Sequence, residues 1–302
     1  MSRVHPEGLL LHPRHWLSWL GFGLLRLLAL LPYRPLMAVG RGLGYLVYHL
    51  AKRRRQITKI NLRLCFPEWD ESTITQMAKR HFASTGMGIM DFTIAWWWPD
   101  HKIDQWYEVE GLEHLEAAFA HGKGTIFFTA HMACIEISGR LLARYAPTFP
   151  MYRPNENPVI QRVMVANREH HVEKAIPRED VRLMLKTLRQ NKGVWFAPDQ
   201  NYGQKNSVFA NFFGIPAATN TSTSRFAELT GAQVVPFVVL RRPQGGYQMI
   251  IEPALTHFPA GSTQDTARLN AIIERWARIA PEQYNWMHRR FKHRPNDEPR
   301  FY

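Results

Sequence analysis

The chain has 302 residues, of which 45% are hydrophobic and 21% are charged. This composition supplies a full hydrophobic core and excludes an intrinsically disordered protein. Its two cysteines, Cys65 and Cys134, lie far apart without metal-ligand spacing, which excludes a disulfide framework and a zinc knuckle and favours a reducing compartment.

The net charge of +13 is concentrated at the N-terminus. Residues 1–63 carry eleven Lys or Arg against the single acid Glu7, a net of +10 that leaves only +3 for the rest of the chain. The excess ends in the run Lys52 to Arg55, close to apolar segments, as in proteins that face anionic lipid. The sequence has no basic-aromatic RNA-binding signature and no Cys/His finger, so the charge does not indicate a nucleic-acid partner.

The first predicted element is an apolar helix from Trp16 to Leu31. It contains eight leucines, but it is shorter than the ~20 residues of a comfortable membrane span and is interrupted by Arg26. The leucines favour insertion by about 2.4 to 4.8 kcal/mol and a central Arg opposes it by about 2.5 to 3.5 kcal/mol. Spanning the membrane and lying on its surface are therefore both open. Pro32 and Pro35 predict a break, followed by an amphipathic helix from Leu36 to Leu50.

A cleaved signal peptide is the alternative interpretation of this segment, with Arg3 as its charged start and residues 16–25 as its apolar centre. The interruption at Arg26 and the basic run that follows favour a retained anchor whose C-terminal side stays in the cytoplasm. We therefore divide the chain into an N-terminal membrane segment, residues 1–55, and a second domain, residues 56–302.

The second domain has the pattern of an α/β fold, with a mixed, mostly parallel sheet flanked by helices. A long helix is predicted from Ser72 to Trp98, and its three final tryptophans are interpreted as core, as an acyl-pocket wall or as a membrane-facing belt. Short apolar runs bounded by Gly, Pro or Asn predict six strands: Trp106 to Glu110, Thr125 to Thr129, Phe149 to Tyr152, Val194 to Ala197, Val234 to Leu240 and Gln248 to Glu252.

The segment from Gly124 to Glu136 is predicted to be a buried strand, a tight turn and the start of a helix, with His131 at the junction. A histidine in that position faces the crevice where open α/β sheets bind substrates. We expect His131 to remove a proton from a hydroxyl group while Glu136 fixes the imidazole tautomer, which is acyl-transfer chemistry without a protein nucleophile. A core histidine with satisfied hydrogen bonds is the alternative.

The His-x-x-x-x-acid spacing is a weak signal, because a chain of this composition should contain roughly one match by chance. The second match, His293 to Glu298, lies in a tail without strand or helix signals, so context selects the first. Cys134 lies inside the selected motif. It is a candidate nucleophile, although a small buried cysteine on the inner face of the helix is the default.

Several blocks together resemble the late acyltransferases of lipid A biosynthesis, the lauroyl and myristoyl transferases of the wider glycerolipid acyltransferase group. The similarity extends from about residue 56 to residue 295. The blocks are Asn61 to Pro67, His131 to Glu136, Tyr152 to Asn155 with Asn157 and Pro158, Ala197 to Gly203 leading into Ser207 to Phe209, and Gln283 to Lys292.

The resemblance implies that a fatty acyl chain passes from acyl carrier protein to a hydroxyl of a Kdo-bearing lipid A precursor, at the cytoplasmic face of the inner membrane. It implies no metal and no organic cofactor. By position, His131 is the base and Glu136 its partner, and Arg168 and Asp199 match charged residues that line the site. Arg153 is a further candidate for binding substrate. An arginine near the reacting centre would stabilise an oxyanion or bind a phosphate. The alternative for Arg168 is a structural role in which it pairs with an acid such as Asp199.

The basic tail of Arg289, Arg290, Lys292 and Arg294 is either a solvated face or a docking site for an acidic carrier protein or lipid phosphates. Three competing functions stay open. They are an acyltransferase for another glycolipid or a lysophospholipid, a non-catalytic lipid-binding tether, and a thioester hydrolase.

Overall fold

The computed structural model describes residues 10–201, 203 and 206–302. Arg3, the start of the alternative signal peptide, and Tyr202, in one of the matched blocks, lie outside the described residues. The helices are α1 (Trp16–Leu28), α2 (Tyr33–Leu50), α3 (Lys52–Cys65), α4 (Glu71–Trp97), α5 (Asp100–Ile103), α6 (Leu112–Ala120), α7 (Ile135–Ala143), α8 (Pro158–Glu169), α9 (Val181–Arg189), α10 (Ser222–Thr230) and α11 (Ser262–Ile279). The strands are β1 (Tyr107–Glu110), β2 (Thr125–Phe128), β3 (Thr148–Tyr152), β4 (Ile176–Pro177), β5 (Gly193–Phe196), β6 (Ser207–Phe212), β7 (Ile215–Asn220), β8 (Gln233–Arg241) and β9 (Tyr247–Ile251).

Seven strands form one sheet in the order β1-β9-β8-β2-β5-β3-β4, and β6 and β7 form a separate antiparallel hairpin. Every pair in the large sheet is parallel except β8 with β9. This confirms the predicted α/β fold with a mixed, mostly parallel sheet. All six predicted strands are present with bounds shifted by about one residue, whereas β4 and the β6–β7 hairpin were not predicted.

The centre of the sheet is β2, which pairs with β8 on one side and β5 on the other. All four of its residues are buried, because helices cover both faces of the sheet at this point. A continuous apolar run such as Ile126-Phe127-Phe128 is the pattern expected of a strand in that position. The carboxyl ends of β2 and β5 therefore meet at the same edge of the sheet.

Helix α4 packs against α7, the helix that follows that edge. Asp70 caps its start by accepting a hydrogen bond from the Thr73 backbone N–H at 2.8 Å, and the helix ends just before Pro99. Its bounds confirm the helix predicted from Ser72 to Trp98. Of the three tryptophans at its end, Trp96 and Trp98 are buried, which supports the core interpretation for these two.

Helix α2 packs closely against α4. A Cβ on Gly44 would lie 2.2 Å from the Phe82 carbonyl oxygen, and one on Gly86 would lie 2.1 Å from the Gly40 carbonyl oxygen. Only glycine permits this backbone approach. Pro35, expected to break the chain, instead lies in the first turn of α2, where a missing N–H costs nothing.

Helix α1 has no fully buried residue and is joined to α2 by the turn around Pro32. In the described part of the chain, we find no helix with the length and apolarity to cross a membrane. The predicted division at residue 55 falls inside α3 and stays a prediction.

Candidate active site

Two side chains meet at the central edge of the sheet because they follow neighbouring parallel strands at the same distance. His131 comes three residues after the end of β2, and Asp199 comes three residues after the end of β5. The register pairs Phe128 with Phe196, so equal offsets bring the two residues to the same level. This edge is where open α/β sheets bind their ligands.

Asp199 holds His131 through two contacts. Its Oδ1 lies 2.5 Å from the imidazole Nδ1, and its Oδ2 accepts the His131 backbone N–H at 3.1 Å. Because a carboxylate only accepts, the proton lies on Nδ1 and the Nε2 lone pair is free. The histidine side chain is 28% exposed and the aspartate 2%. The imidazole edge therefore reaches the site opening, which argues against a sealed core histidine.

The electrostatics of this pair make the imidazole a stronger base than an ordinary histidine. Burial lowers the pKa of His131, but the charge of Asp199 and its hydrogen bond outweigh burial and raise the pKa above its ordinary value. For Asp199, burial raises the pKa, and the facing imidazole outweighs it and leaves the pKa lowered. The aspartate thus stabilises the imidazolium that would form after proton removal.

The expectation that Glu136 fixes the imidazole tautomer is wrong, because Asp199 is the partner of Nδ1. Glu136 is buried, and its carboxylate accepts three hydrogen bonds: Trp96 Nε1 to Oε1 at 2.7 Å, Arg168 Nε to Oε1 at 2.9 Å and Arg168 Nη2 to Oε2 at 2.6 Å. No hydrogen bond joins it to His131 within the described residues. The physical reason is direction, since Glu136 in the first turn of α7 faces α4 and α8, whose donors bind both of its oxygens.

Arg168 does pair with an acid, as one alternative predicted, but the partner is Glu136 and not the suggested Asp199. Its side chain is 18% exposed, and its Nη1 makes no hydrogen bond to any residue that the structure describes. Burial lowers the pKa of Arg168, but the charge of Glu136 and their hydrogen bonds raise it overall, so the guanidinium stays charged. A fixed cation with one free N–H edge suits an anionic ligand.

Arg153 does not join this group. Its side chain is 69% exposed and lies 4.0 Å from Glu156, which is itself almost fully exposed. The structure therefore brings together His131 with Asp199, and Glu136 with Arg168, and leaves Arg153 at the surface.

A C-terminal strap, residues 283–288, supports His131 from the other side. The Ala133 N–H donates to the Gln283 carbonyl at 2.6 Å, Met132 forms an antiparallel bridge with Tyr284, and the Asn285 N–H donates to the His131 carbonyl at 3.1 Å. Sequence reasoning quoted this block only as part of a resemblance and did not assign it a role.

His288, in the same strap, was also missed. Its Nε2 accepts the Asn201 backbone N–H at 2.8 Å, and burial lowers its pKa to about 4, so the ring stays neutral. Tyr284, in the same strap, is also buried. Its burial is the main reason why the pKa of its phenol is raised, and the charge of Asp199 raises it further. Both side chains therefore enclose the His131–Asp199 pair without adding charge.

Cys134 is buried and its Sγ lies 2.9 Å from the Val239 carbonyl oxygen. Burial raises the pKa of its thiol to about 12, which disfavours the nucleophilic thiolate. The default interpretation of a small buried cysteine is confirmed.

The basic tail is only partly available to a partner. Arg290 is buried and donates to Ala218 O, Thr219 Oγ1 and Asn270 Oδ1, and Arg294 pairs with Glu298. The solvated-face interpretation is wrong for Arg290, because its guanidinium ties the tail to the β6–β7 hairpin. No cluster of three or more His, Cys, Asp or Glu side chains suited to a metal occurs in the ranges that the structure describes.

Comparison with known proteins gives a consistent family match. The family model described as bacterial lipid A biosynthesis acyltransferase matches residues 5–293. The chain is 41% identical over 296 residues to the lipid A biosynthesis lauroyltransferase of Escherichia coli K12, covering 97% of both chains. It is 37% identical to the palmitoleoyltransferase of that strain, covering 97% of this chain and 96% of the relative, and 27% identical to the myristoyltransferase, covering 95% and 90%.

Among solved structures, the chain resembles the 1-acyl-sn-glycerophosphate acyltransferase from Thermotoga maritima, at 12% identity and a TM-score of 0.39. The match covers 80% of this chain and 97% of the other.

Proposed function

The chain belongs to the bacterial lipid A biosynthesis acyltransferase family, and we propose that it transfers a lauroyl- or myristoyl-class chain from acyl carrier protein to a hydroxyl of a Kdo-bearing lipid A precursor. The observation that carries the proposal is the His131–Asp199 pair at the carboxyl ends of β2 and β5. The free Nε2 of a partly exposed imidazole is a base for a hydroxyl group.

In the proposed reaction, the acceptor hydroxyl attacks the thioester carbonyl carbon while His131 Nε2 takes its proton. The new C–O bond forms a tetrahedral oxyanion, and its collapse breaks the C–S bond. The imidazolium then returns the proton to the departing thiolate. Asp199 keeps the proton on Nδ1 and lowers the free energy of the imidazolium throughout.

Glu136 acts in this proposal through Arg168 and not through the imidazole. The two-point ion pair and the Trp96 hydrogen bond fix the guanidinium plane. Arg168 then stabilises the oxyanion or binds a lipid A phosphate with its remaining N–H groups. Glu136 is thus a positioning residue, and the catalytic pair is His131 with Asp199.

We place this reaction at the cytoplasmic face of the inner membrane, with the N-terminal segment as the anchor. The lipid acceptor and the basic N-terminus support this location. The acidic carrier protein would meet Arg289 and Lys292, the two tail residues that stay accessible, and charge reversal at both should raise KM for the carrier without unfolding the chain.

Replacement of His131 by alanine tests the proposal. With acyl carrier thioester and lipid A precursor as substrates, mass spectrometry of the product should show a rate reduced by roughly 10²- to 10⁴-fold or more. His121→Ala is the matched control, because His121 is exposed at the end of α6. Unchanged acylation in the His131 variant would contradict the proposal and favour a tether. If only a lysophospholipid were acylated, the acceptor would be a lysophospholipid and not a lipid A precursor. Free fatty acid as the sole product would indicate a hydrolase.

A further inference from the structure

Exposed apolar surface is concentrated in the first two helices and the turns beside them. Outside this region, the exposed large hydrophobic side chains of the described residues are scattered singly along the chain. Those within it are Leu11, Trp16, Leu17, Trp19, Leu20, Leu24, Leu27, Leu30, Val39, Tyr45, Leu46, Val47 and Leu50. Single exposed residues are ordinary in proteins, but a contiguous apolar patch of this kind marks an interaction site.

The apolar side chains of α1 form one stripe. Leu17, Leu20, Leu24 and Leu27 recur at the spacing of one helix face and are between 57% and 80% exposed. The opposite side of α1 packs on the body of the protein, where Phe22 lies 6.2 Å from Trp96 between ring centroids. The helix is therefore fixed along one side and presents leucines on the other.

Helix α2 repeats this arrangement. Its buried face, with Leu36, Gly40 and Gly44, is occupied by α4. Leu46 and Leu50 on another face are 55% and 72% exposed. Both helices thus have a packed side that holds them in place and an apolar side that no described residue covers.

The charges around this surface select its partner. Residues 10–67 contain no Asp or Glu, and the basic side chains among them are mostly exposed. A second copy of the chain across a two-fold axis would bring this positive surface against itself. An anionic lipid headgroup layer complements it. The exposed cations are Arg14, Arg26, Arg34, Arg41, Lys52, Arg53, Arg54 and Arg63.

We propose that α1 and α2 lie in the plane of an anionic bilayer, with both apolar stripes at the boundary between headgroups and acyl chains. Helix α1 has 13 residues and is about 20 Å long at ~1.5 Å per residue, against ~30 Å of hydrocarbon. A single apolar stripe is what we expect of a helix that packs against the protein on one side and against lipid on the other.

This attachment places the membrane beside the site, a consequence that rests on the proposed function. Helix α1 contacts Trp96 and, through Ser18 Oγ and Asn157 Nδ2 at 3.0 Å, the start of α8. Trp96 and Arg168 of α8 are the two residues that bind Glu136. A lipid acceptor would therefore reach the site along α1 directly from the bilayer surface.

Depth measurements along α1 test the orientation. Single cysteines at Leu17, Leu20, Leu24 and Leu27 can carry a fluorophore in the full chain, because native Cys65 and Cys134 are buried. Quenching by nitroxide lipids in phosphatidylglycerol-containing vesicles should give the same shallow depth at all four positions. A depth that increases steadily from one end of the helix to the other would overturn the in-plane arrangement.

A paired substitution tests the surface itself. Leu20→Glu with Leu24→Glu should lower partitioning into the same vesicles by roughly tenfold or more, since two leucines that the proposal places among the acyl chains become two anions. Leu229→Glu with Ile279→Glu is the matched control at exposed apolar positions elsewhere, and it should leave partitioning unchanged. Equal partitioning of both double variants would overturn the proposal, as would a concentration-dependent dimer that only the first pair disrupts. Vesicle binding needs neither donor nor acceptor, so its failure is separable from a failure of acyl transfer.

Discussion

The division of labour between the two acidic residues is the main lesson at the scale of single residues. Asp199 touches the imidazole of His131, and Glu136 touches Arg168. The His-x-x-x-x-Glu spacing along the chain had instead predicted that Glu136 holds the imidazole. The signal that could have identified Asp199 is its equal offset from the end of a strand, but this signal works only once the neighbouring strand is known to be β5. Sequence patterns do not contain that order.

The pH profile of acyl transfer distinguishes the two roles. In the proposed mechanism the base must be neutral, so kcat/KM should rise with pH through the pKa of His131, which Asp199 raises above its ordinary value. Asp199→Asn removes that charge, so the acidic limb should move to lower pH while the plateau falls by roughly 10²- to 10⁴-fold. Glu136→Gln should lower the rate and leave the limb in place, because Glu136 forms its hydrogen bonds with Trp96 and Arg168 and not with the imidazole. The measurement is kcat/KM from pH 5 to 9 for the three proteins. A limb that moves in the Glu136 variant and not in the Asp199 variant would restore the assignment based on spacing.

At the scale of elements, continuous apolar runs predicted the strands of the large sheet well, since strands buried on both faces need apolar residues throughout. The β6–β7 hairpin was missed because its strands mix polar and apolar residues around the Phe213-Gly214 turn. Strand β4 has two residues, too few for any periodicity. The strap was missed for another reason, since its contacts with the His131 loop join positions about 150 residues apart along the chain.

The strap makes a prediction about Gln283. Its side-chain Oε1 accepts the Arg241 N–H at 2.8 Å, its Nε2 donates to the Arg241 carbonyl at 2.9 Å, and its own carbonyl holds the Ala133 N–H. Gln283→Leu leaves two buried backbone groups unpaired and should lower the free energy of unfolding by about 2 to 5 kcal/mol. Because the Gln283 side chain anchors the strap whose backbone holds the His131 loop, kcat should also fall at temperatures where the variant is still folded.

Gln248→Leu, on the partly exposed strand β9, is the control and should change the unfolding free energy by less than about 0.5 kcal/mol. Urea denaturation followed by tryptophan fluorescence measures both variants, and kcat is compared well below each unfolding midpoint. Full activity in a destabilised Gln283 variant would show that the strap supports the fold and not the position of His131.

At the scale of the whole molecule, stability should decline on the acidic side because one buried and two partly buried histidines favour the neutral form. Burial lowers the pKa of His81, His171 and His288 to about 4 in each case. In the unfolded chain the ordinary pKa is about 6.5. The unfolded state therefore binds more protons between these values, and the free energy of unfolding falls as pH drops from about 6.5 towards 4.

His81 gives the sharpest test of this behaviour. It is 1% exposed, its Nδ1 lies 3.2 Å from the Glu282 carbonyl oxygen, and its Nε2 has no partner among the described residues, so a second proton would be buried without an acceptor. His81→Gln keeps a donor for the carbonyl and cannot take up a proton. The stability difference between wild type and variant should therefore shift in favour of the variant by up to about 3 kcal/mol between pH 7 and pH 4.5.

Exposed His121→Gln should show no such change, and denaturant titrations at several pH values measure all three proteins. A pH-independent difference for His81→Gln would mean that His81 takes up its proton without unfolding, and the acid sensitivity of the fold would then originate in His171, His288 and the ion pairs around the site.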